Sequence, residues 1–86
     1  MKEKVKKILD PEIKSFNVVI DDVYIETVEN RPVLNIVVDS DDVIDLDLIT
    51  EVSRVINKKI DEGNIINEDF DELDIYAKSK EGEENE

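Results

Sequence analysis

The sequence lacks the residue types that most catalytic sites and covalent cross-links require. Its 86 residues include no cysteine and no histidine, which excludes disulfides, cysteine-ligated metals and imidazole acid–base catalysis. Two glycines are too few to build a phosphate-binding loop. No apolar run approaches the ~18 residues needed to span a bilayer, so no membrane partner is expected. These absences predict a binding protein that has no cofactor and is not an enzyme.

Acidic residues dominate what is present. Asp and Glu number 24 against 11 Lys and Arg, which gives a net charge of −13. Residues 1–16 hold five lysines against three acids, a net +2, so the remainder carries −15. Such a field repels phosphate backbones and attracts basic proteins, although the same charge also serves solubility alone. The lysine-rich start has no apolar signal-peptide core, so a cytoplasmic location is expected.

The clearest structural signal is a strand followed by a helix. Apolar residues alternate from Leu34 to Val38 with neighbours of the opposite face, which is the period of a strand. Asp45 is predicted to cap a helix that begins at Leu46, and Gly63 to end it with a positive φ. The apolar face of this helix comprises Ile49, Val52, Ser53, Ile56 and Ile60.

Three further elements are predicted from the hydrophobic periodicity and from the residues that interrupt it. Residues 2–16 form an amphipathic helix that bends or restarts at Pro11, and the unbroken phase of its apolar stripe favours one bent element. Residues 18–28 form a first strand, in which Asp21-Asp22 upsets the alternation and predicts a bulge or a late start. Residues 73–77 form a third strand. The short turn between the first two strands makes them an antiparallel hairpin.

The predicted fold class is α+β, in the order αββαβ, with both helices packed on one face of a three-stranded sheet. Residues 1–77 make up this single domain, and residues 78–86 are expected to be a charged, disordered tail or the start of a linker. Ile65, Ile66 and Phe70 are available to pin the connection before the third strand to the core. The third strand is expected to run parallel to the second. Strand order stays open, and one arrangement places the first strand between the other two.

The sheet face away from the helices is the candidate interaction surface. By alternation it carries Tyr24, Glu26, Val28, Val33, Asn35, Val37, Asp74, Tyr76 and Lys78. Five of these nine are apolar or aromatic, which favours a docked occupant over a purely solvated face. The occupant is expected to be a missing further domain, a second copy of the chain or a partner protein. Val33 and Val37 are expected to lie outside the core. A second candidate contact is Arg54 on the outward face of the second helix, where an ion pair with Glu51, Asp47 or Asp61 is the alternative role.

The acidic run between the second strand and the second helix lacks the pattern of a calcium-binding loop. Counted from Asp39, an EF-hand needs Gly at the sixth position and Glu at the twelfth. The sequence has Ile44 and Thr50 there. No specific metal site is therefore expected, and helix capping explains part of the run.

Several segments together resemble a known family. These are Val33-Leu34-Asn35-Ile36-Val37-Val38-Asp39, Ile44-Asp45-Leu46-Asp47 and Glu51-Val52-Ser53-Arg54, with Pro11, Asp22-Val23-Tyr24-Ile25 and Leu73-Asp74-Ile75 as flanking matches. The segments from Val33 to Arg54 resemble, without a gap, the N-terminal domain of the ribosome maturation factor RimP family, and the flanking segments look like its flanking elements. The resemblance implies the same αββαβ order and a non-catalytic role in maturation of the small (30S) ribosomal subunit.

The same resemblance implies the partners. They would be the small subunit or one of its basic ribosomal proteins, without tight direct binding to RNA. Family members carry a second, barrel-like C-terminal domain, whose preceding Ser-Ser-Pro-Gly segment is replaced here by residues 76–82. Either an excised domain or a natural short form is expected. A function of another class, a stand-alone acidic adaptor or nucleic-acid mimic that binds a basic protein, also fits the composition.

Overall fold

The computed structural model describes residues 2–63, 65–66 and 69–78. In chain order its elements are α1 (Lys2–Ile13), a short 3-10 helix (Lys14–Phe16), β1 (Val19–Val28), β2 (Arg31–Asp39), α2 (Leu46–Gly63) and β3 (Glu72–Ala77). The predicted α+β class and αββαβ order are confirmed. Both helices lie on the same face of the sheet, because α1 and α2 bury their apolar residues in one cluster with the sheet.

Helix α1 runs through Pro11 without a break, so the prediction of one continuous element is confirmed and the alternative of a restart is wrong. The apolar stripe keeps its phase on both sides of the proline, since Leu9 and Ile13 are both fully buried. This burial holds the helix together although Pro11 removes one backbone donor. Polar contacts tie α1 to β1: Asp10 Oδ1 accepts the Ile20 backbone N–H at 2.8 Å, and Lys6 Nζ donates to the Ile20 carbonyl at 2.9 Å.

Strands β1 and β2 form the predicted antiparallel hairpin. Val28 pairs with Arg31, so the turn consists of Glu29 and Asn30 alone. Both turn residues have positive φ, 52° and 67°, which is the backbone of a type I′ turn and matches the twist of the flanking strands. The register shifts between Ile20 and Asp22, which confirms the predicted bulge.

The strand order is β1-β2-β3, with β3 parallel to β2. The parallel pairing is confirmed, and the arrangement with β1 between the other two is wrong. The reason lies in β2, whose residues from Val33 to Val38 are all buried. β1 and β3 alternate between more and less exposed side chains. A strand buried on both faces belongs at the centre of a sheet, where its backbone also pairs on both sides.

Helix α2 begins with the predicted cap, because the Leu48 backbone N–H donates to Asp45 Oδ1 at 2.9 Å. Its end differs from the prediction. Gly63 is the last helical residue and its φ lies outside the left-handed region. A Cβ at this position would lie 3.0 Å from Cγ2 of the buried Ile65. A close approach of the returning chain, not a positive φ, therefore explains the glycine.

The core lies between the helices and the sheet. Its buried members are Val5, Leu9, Ile13, Val18, Ile20, Val23, Leu34, Ile36, Val38, Val52, Ile56, Ile60 and Ile65. Ile66 and Phe70 pack against this cluster, so the connection before β3 is pinned as predicted. Of the predicted tail, Lys78 is described and its backbone N–H donates to the Val38 carbonyl. Residues 79–86 lie outside the described part of the chain.

The core assignment predicts the effect of a single buried charge. Val52→Asp places a carboxylate at a side chain that is fully buried, with an expected loss of at least ~4 kcal/mol out of the ~5–15 kcal/mol typical of a domain. The midpoint of urea unfolding, followed by circular dichroism, should therefore fall strongly, and the cooperative transition disappears if the wild-type stability is near the low end of this range. Val43→Asp is the matched control, since Val43 is 77% exposed and the change should stay within ~0.5 kcal/mol. A cooperative transition of wild-type midpoint in Val52→Asp would contradict the core assignment.

The hairpin turn predicts a stabilising substitution. Glu29 holds a left-handed backbone, which is unfavourable for a residue with a Cβ and favourable for glycine. Glu29→Gly should raise the free energy of unfolding by ~0.5–1 kcal/mol. Glu29→Ala removes the same charge but keeps the Cβ, so it should give no comparable gain. Equal urea midpoints for the two variants would assign the effect to charge instead of backbone.

Candidate functional site

The open face of the sheet, meaning the side chains of β1, β2 and β3 that point away from the helices, is arranged in rows by the strand register. The rows are Glu26–Val33–Glu72, Tyr24–Asn35–Asp74 and Asp22–Val37–Tyr76, each read from β1 through β2 to β3. Val28 extends the face at the hairpin end of β1. Acidic and aromatic side chains thus stand on both edge strands, with a mostly apolar line along β2 between them.

Two tyrosines join the edge strands across β2. The hydroxyl groups of Tyr24 on β1 and Tyr76 on β3 are hydrogen bonded to each other. Because these strands flank β2, with a separation of about 9–10 Å, the two side chains must meet over the central strand. Asn35 and Val37 occupy β2 in the same two rows and are only 4% and 8% exposed. The tyrosine pair, Tyr24 with Tyr76, therefore bridges the open face and shields its floor.

The tyrosine pair also changes an ionisation. The hydrogen bond with Tyr24 raises the pKa of Tyr76 to about 12, and partial burial and the nearby charges of Glu26 and Asp22 act in the same direction. All these causes oppose formation of a tyrosinate. Asp22 lies in the same row as Tyr76, with Val37 between them. The Tyr76 hydroxyl is therefore neutral at ordinary pH, on a face that carries several carboxylates.

The open face is strongly acidic. The bulge brings Asp21 to it beside Asp22, and Lys78 reaches from the end of β3 to place Nζ 3.5 Å from Asp21 Oδ1. The other carboxylates of the face are Asp22, Glu26, Glu72 and Asp74. None of these four has a described lysine or arginine within 4.0 Å. The face therefore has more negative charge than the described part of the chain neutralises.

The valines predicted on this face are less accessible than expected. Val33 and Val37 lie outside the core cluster, as anticipated, but they are only 3% and 8% exposed. The reason is the central position of β2, whose side chains are flanked by those of both neighbouring strands. Tyr24, Tyr76 and Val28 are 37%, 39% and 46% exposed. The tyrosines and Val28 therefore supply the contact surface, and the two valines supply its floor.

Arg54 does not belong to the open face. It is exposed on α2, whose opposite side packs into the core through Val52 and Ile56, so it projects from the helix side of the domain. None of its predicted ion-pair partners among the described carboxylates lies within 4.0 Å. The structure thus brings together the sheet residues of the predicted site and separates Arg54 from them.

Apart from the open face, a concave region lies where α1 meets the end of β2. Its volume is about 450 Å³, and it is lined by Asp10, Pro11, Lys14, Asn17, Val18, Val19, Asp39, Ser40 and Asp41. Polar groups here hold the chain together: Ser40 Oγ donates to the Asn17 carbonyl at 2.7 Å, and Asn17 Nδ2 donates to Asp42 Oδ2 at 3.0 Å. Within the described residues, no three carboxylates are grouped so that they could hold a metal ion. The contacts of Ser40 and Asp42 with Asn17 therefore give the loop that follows β2 a structural role.

Sequence reasoning missed part of the face. Alternation along the first strand already puts Asp22 on the side of Tyr24, whereas Asp21 and Glu72 lie outside the predicted face. The broken alternation at Asp21-Asp22 is the available signal for Asp21. The hydroxyl contact of the tyrosine pair had no sequence signal, because it requires β2 to lie between β1 and β3.

No helix of the described chain is both long and apolar enough to cross a membrane.

The family model described as RimP N-terminal domain matches residues 8–75. The chain belongs to the RimP N-terminal domain family. The match begins in α1 and ends inside β3, so both helices and all three strands contribute to it. RimP proteins are ribosome maturation factors that are not enzymes, so a general role in ribosome maturation follows for this chain.

The tyrosine pair predicts an unusual alkaline titration. The chain has two tyrosines and no tryptophan, so ultraviolet absorbance of tyrosinate reports on the pair without interference. One tyrosine should ionise only as the pH approaches 12. Because the raised pKa belongs to the folded state, its stabilising effect is complete below the ordinary value of about 10 and is lost as the pH rises from there towards 12.

Tyr24→Phe provides the control for this titration. It leaves one tyrosine and removes its hydrogen-bond partner, so the pKa of Tyr76 should fall towards its ordinary range. Circular dichroism at each pH separates ionisation in the folded chain from unfolding. An unchanged Tyr76 titration in a folded Tyr24→Phe chain would show that the hydroxyl contact is not its cause.

Proposed function

We propose that this chain assists maturation of the small (30S) ribosomal subunit as a non-catalytic binding domain, and that its open face docks a basic protein of that subunit. The observation that carries the proposal is the acidic open face in a chain of the RimP N-terminal domain family. Four carboxylates there have no described cation within 4.0 Å. A partner rich in lysine and arginine supplies the missing positive charge.

The charge of the chain favours protein over RNA as the direct contact. A net charge of −13 repels a phosphate backbone, and binding to nucleic acid ordinarily depends on lysine and arginine at the interface. A basic protein segment binds RNA through lysine and arginine side chains. An acidic surface competes with RNA for such segments. The proposed place of action is accordingly the cytoplasm, where subunits mature.

The open face also has the apolar component that a specific contact needs. Tyr24, Tyr76 and Val28 are each more than a third exposed, and aromatic residues are enriched where proteins bind one another. The carboxylates around them would steer a basic partner and fix its orientation. Charge at the rim and aromatic contact at the centre together suit a reversible, salt-sensitive complex, as an assembly factor requires.

The proposal predicts salt-sensitive binding that depends on the open face. The full 86-residue chain should sediment with small-subunit particles at low salt and progressively less as salt increases, and it should not bind RNA extracted from the same particles. Glu26→Gln with Asp74→Asn should weaken association. The matched control is Glu51→Gln with Asp61→Asn on exposed positions of α2, which changes the net charge equally and should bind like the wild type.

Each other outcome has a definite meaning. Equal weakening by both double variants would show that net charge, not the open face, determines binding. If Arg54→Ala abolished association while the open-face variant left it intact, the binding site would lie on the helix side. Binding to unrelated basic proteins as strong as to small-subunit particles would favour the stand-alone acidic adaptor. Tight binding to the extracted RNA at physiological salt would overturn the proposal.

A further inference from the structure

The open face offers a partner more than negative charge, because it also presents aromatic rings. The hydroxyls of the tyrosine pair are engaged with each other, so much of what Tyr24 and Tyr76 offer to a partner is aromatic ring. The electron-rich face of such a ring attracts cations, and arginine combines this attraction with planar stacking. Carboxylates share rows with both tyrosines, since Asp22 lies across Val37 from Tyr76 and Asp74 lies across Asn35 from Tyr24.

The chain already shows how a cation is held here. Lys78 extends from the end of β3 and places Nζ 3.5 Å from Asp21 on β1, so one cationic side chain crosses the sheet at that end. The rows farther from this end contain Asp74, Glu26 and Glu72, and none of these has a described cation within 4.0 Å. These rows have the acidic groups for a similar contact but lack the cation.

The spacing of the rows defines the ligand further. The row of Tyr24, Asn35 and Asp74 and the row of Glu26, Val33 and Glu72 are two residues apart along each strand, which is about 6–7 Å. In an extended segment, side chains on one side also repeat every two residues, at the same distance. Two cationic side chains separated by one residue therefore match two neighbouring rows.

We propose that the open face binds two arginines, separated by one residue, in an extended basic segment of a partner protein. One guanidinium stacks on the tyrosine pair beside Asp74, and the other lies between Glu26 and Glu72. The inference rests on the proposed function, because it names the part of the basic protein that the open face recognises. Arginine is favoured over lysine because a guanidinium both stacks on a ring and donates two N–H groups to a carboxylate.

A second copy of the chain is disfavoured as the occupant by its charge. Two copies would each bring −13 and would place the unpaired carboxylates of both faces against each other, which opposes association. An arginine-containing segment neutralises the same carboxylates. Charge complementarity therefore selects the basic segment.

The test compares peptides that differ only in the cation. Acetyl-Gly-Arg-Gly-Arg-Gly-amide, its lysine counterpart and a peptide with adjacent arginines are titrated against the isotope-labelled 86-residue chain, and amide shifts are followed by NMR. The Arg-Gly-Arg peptide should bind about fivefold tighter than the lysine peptide and tighter than the adjacent-arginine peptide. Shift changes should centre on the three strands.

Variants locate the source of the preference. Tyr24→Phe keeps the rings and should keep the arginine preference. Tyr24→Leu with Tyr76→Leu removes both rings and should make the arginine and lysine peptides bind equally. Glu26→Gln with Asp74→Asn should weaken both peptides. The wild-type comparison needs no substitution, so the test remains decisive if the double leucine variant does not fold.

Several results would overturn the inference: equal affinity for the two cations in the wild type, no detectable binding of either peptide, shifts confined to residues 39–47 or to α2, or a dimer of the free chain formed through the open face. Sedimentation with small-subunit particles separates this inference from the proposed function. A chain that binds particles without an arginine preference overturns only the inference. A chain that prefers arginine but does not bind particles overturns only the proposed function.

Discussion

The burial of β2 on both faces is the constraint on which the rest of the structure depends. Six consecutive residues, from Val33 to Val38, are buried, so each face of the strand needs a cover. On one face, Leu34, Ile36 and Val38 are covered by both helices through the core cluster. On the other face no described helix is present, and side chains of the neighbouring strands do the covering. The order β1-β2-β3 supplies those neighbours and also pairs the backbone of β2 on both sides.

The helices on one face of β2 and the strand side chains on the other differ in chemistry, and the candidate site results from this difference. The helix side is a thick apolar layer. The open face has a cover one side chain deep, and its outer surface must meet water. Tyrosine suits such a position, because its ring shields apolar groups beneath while its hydroxyl stays near solvent. Tyr24 and Tyr76 meet over β2, so the same pair that keeps Asn35 and Val37 from water presents aromatic area to a partner.

Local features of the fold could be predicted from the sequence, and features that depend on distant pairing could not. The Asp45 cap, the bulge at Asp21-Asp22 and the apolar faces of the helices depend on neighbours within a few residues. The central position of β2 depends on where a crossover returns. The burial of Val33 and Val37 follows from that position. Gly63 illustrates the same limit, since a glycine at a helix end suggests a positive φ, whereas the contact with Ile65 becomes visible only in three dimensions.

The charge of the open face links solubility to recognition. β1 and β3 are edge strands, which in general can pair with the edges of other molecules, and acidic side chains on such strands oppose that pairing between like copies. The negative charge that makes the open face repel a second copy of the chain also makes it attract a basic partner. Salt screens both effects together. Conditions that weaken a basic partner's binding therefore also weaken the repulsion between copies, so exclusion of a second copy and admission of a basic segment have one electrostatic origin.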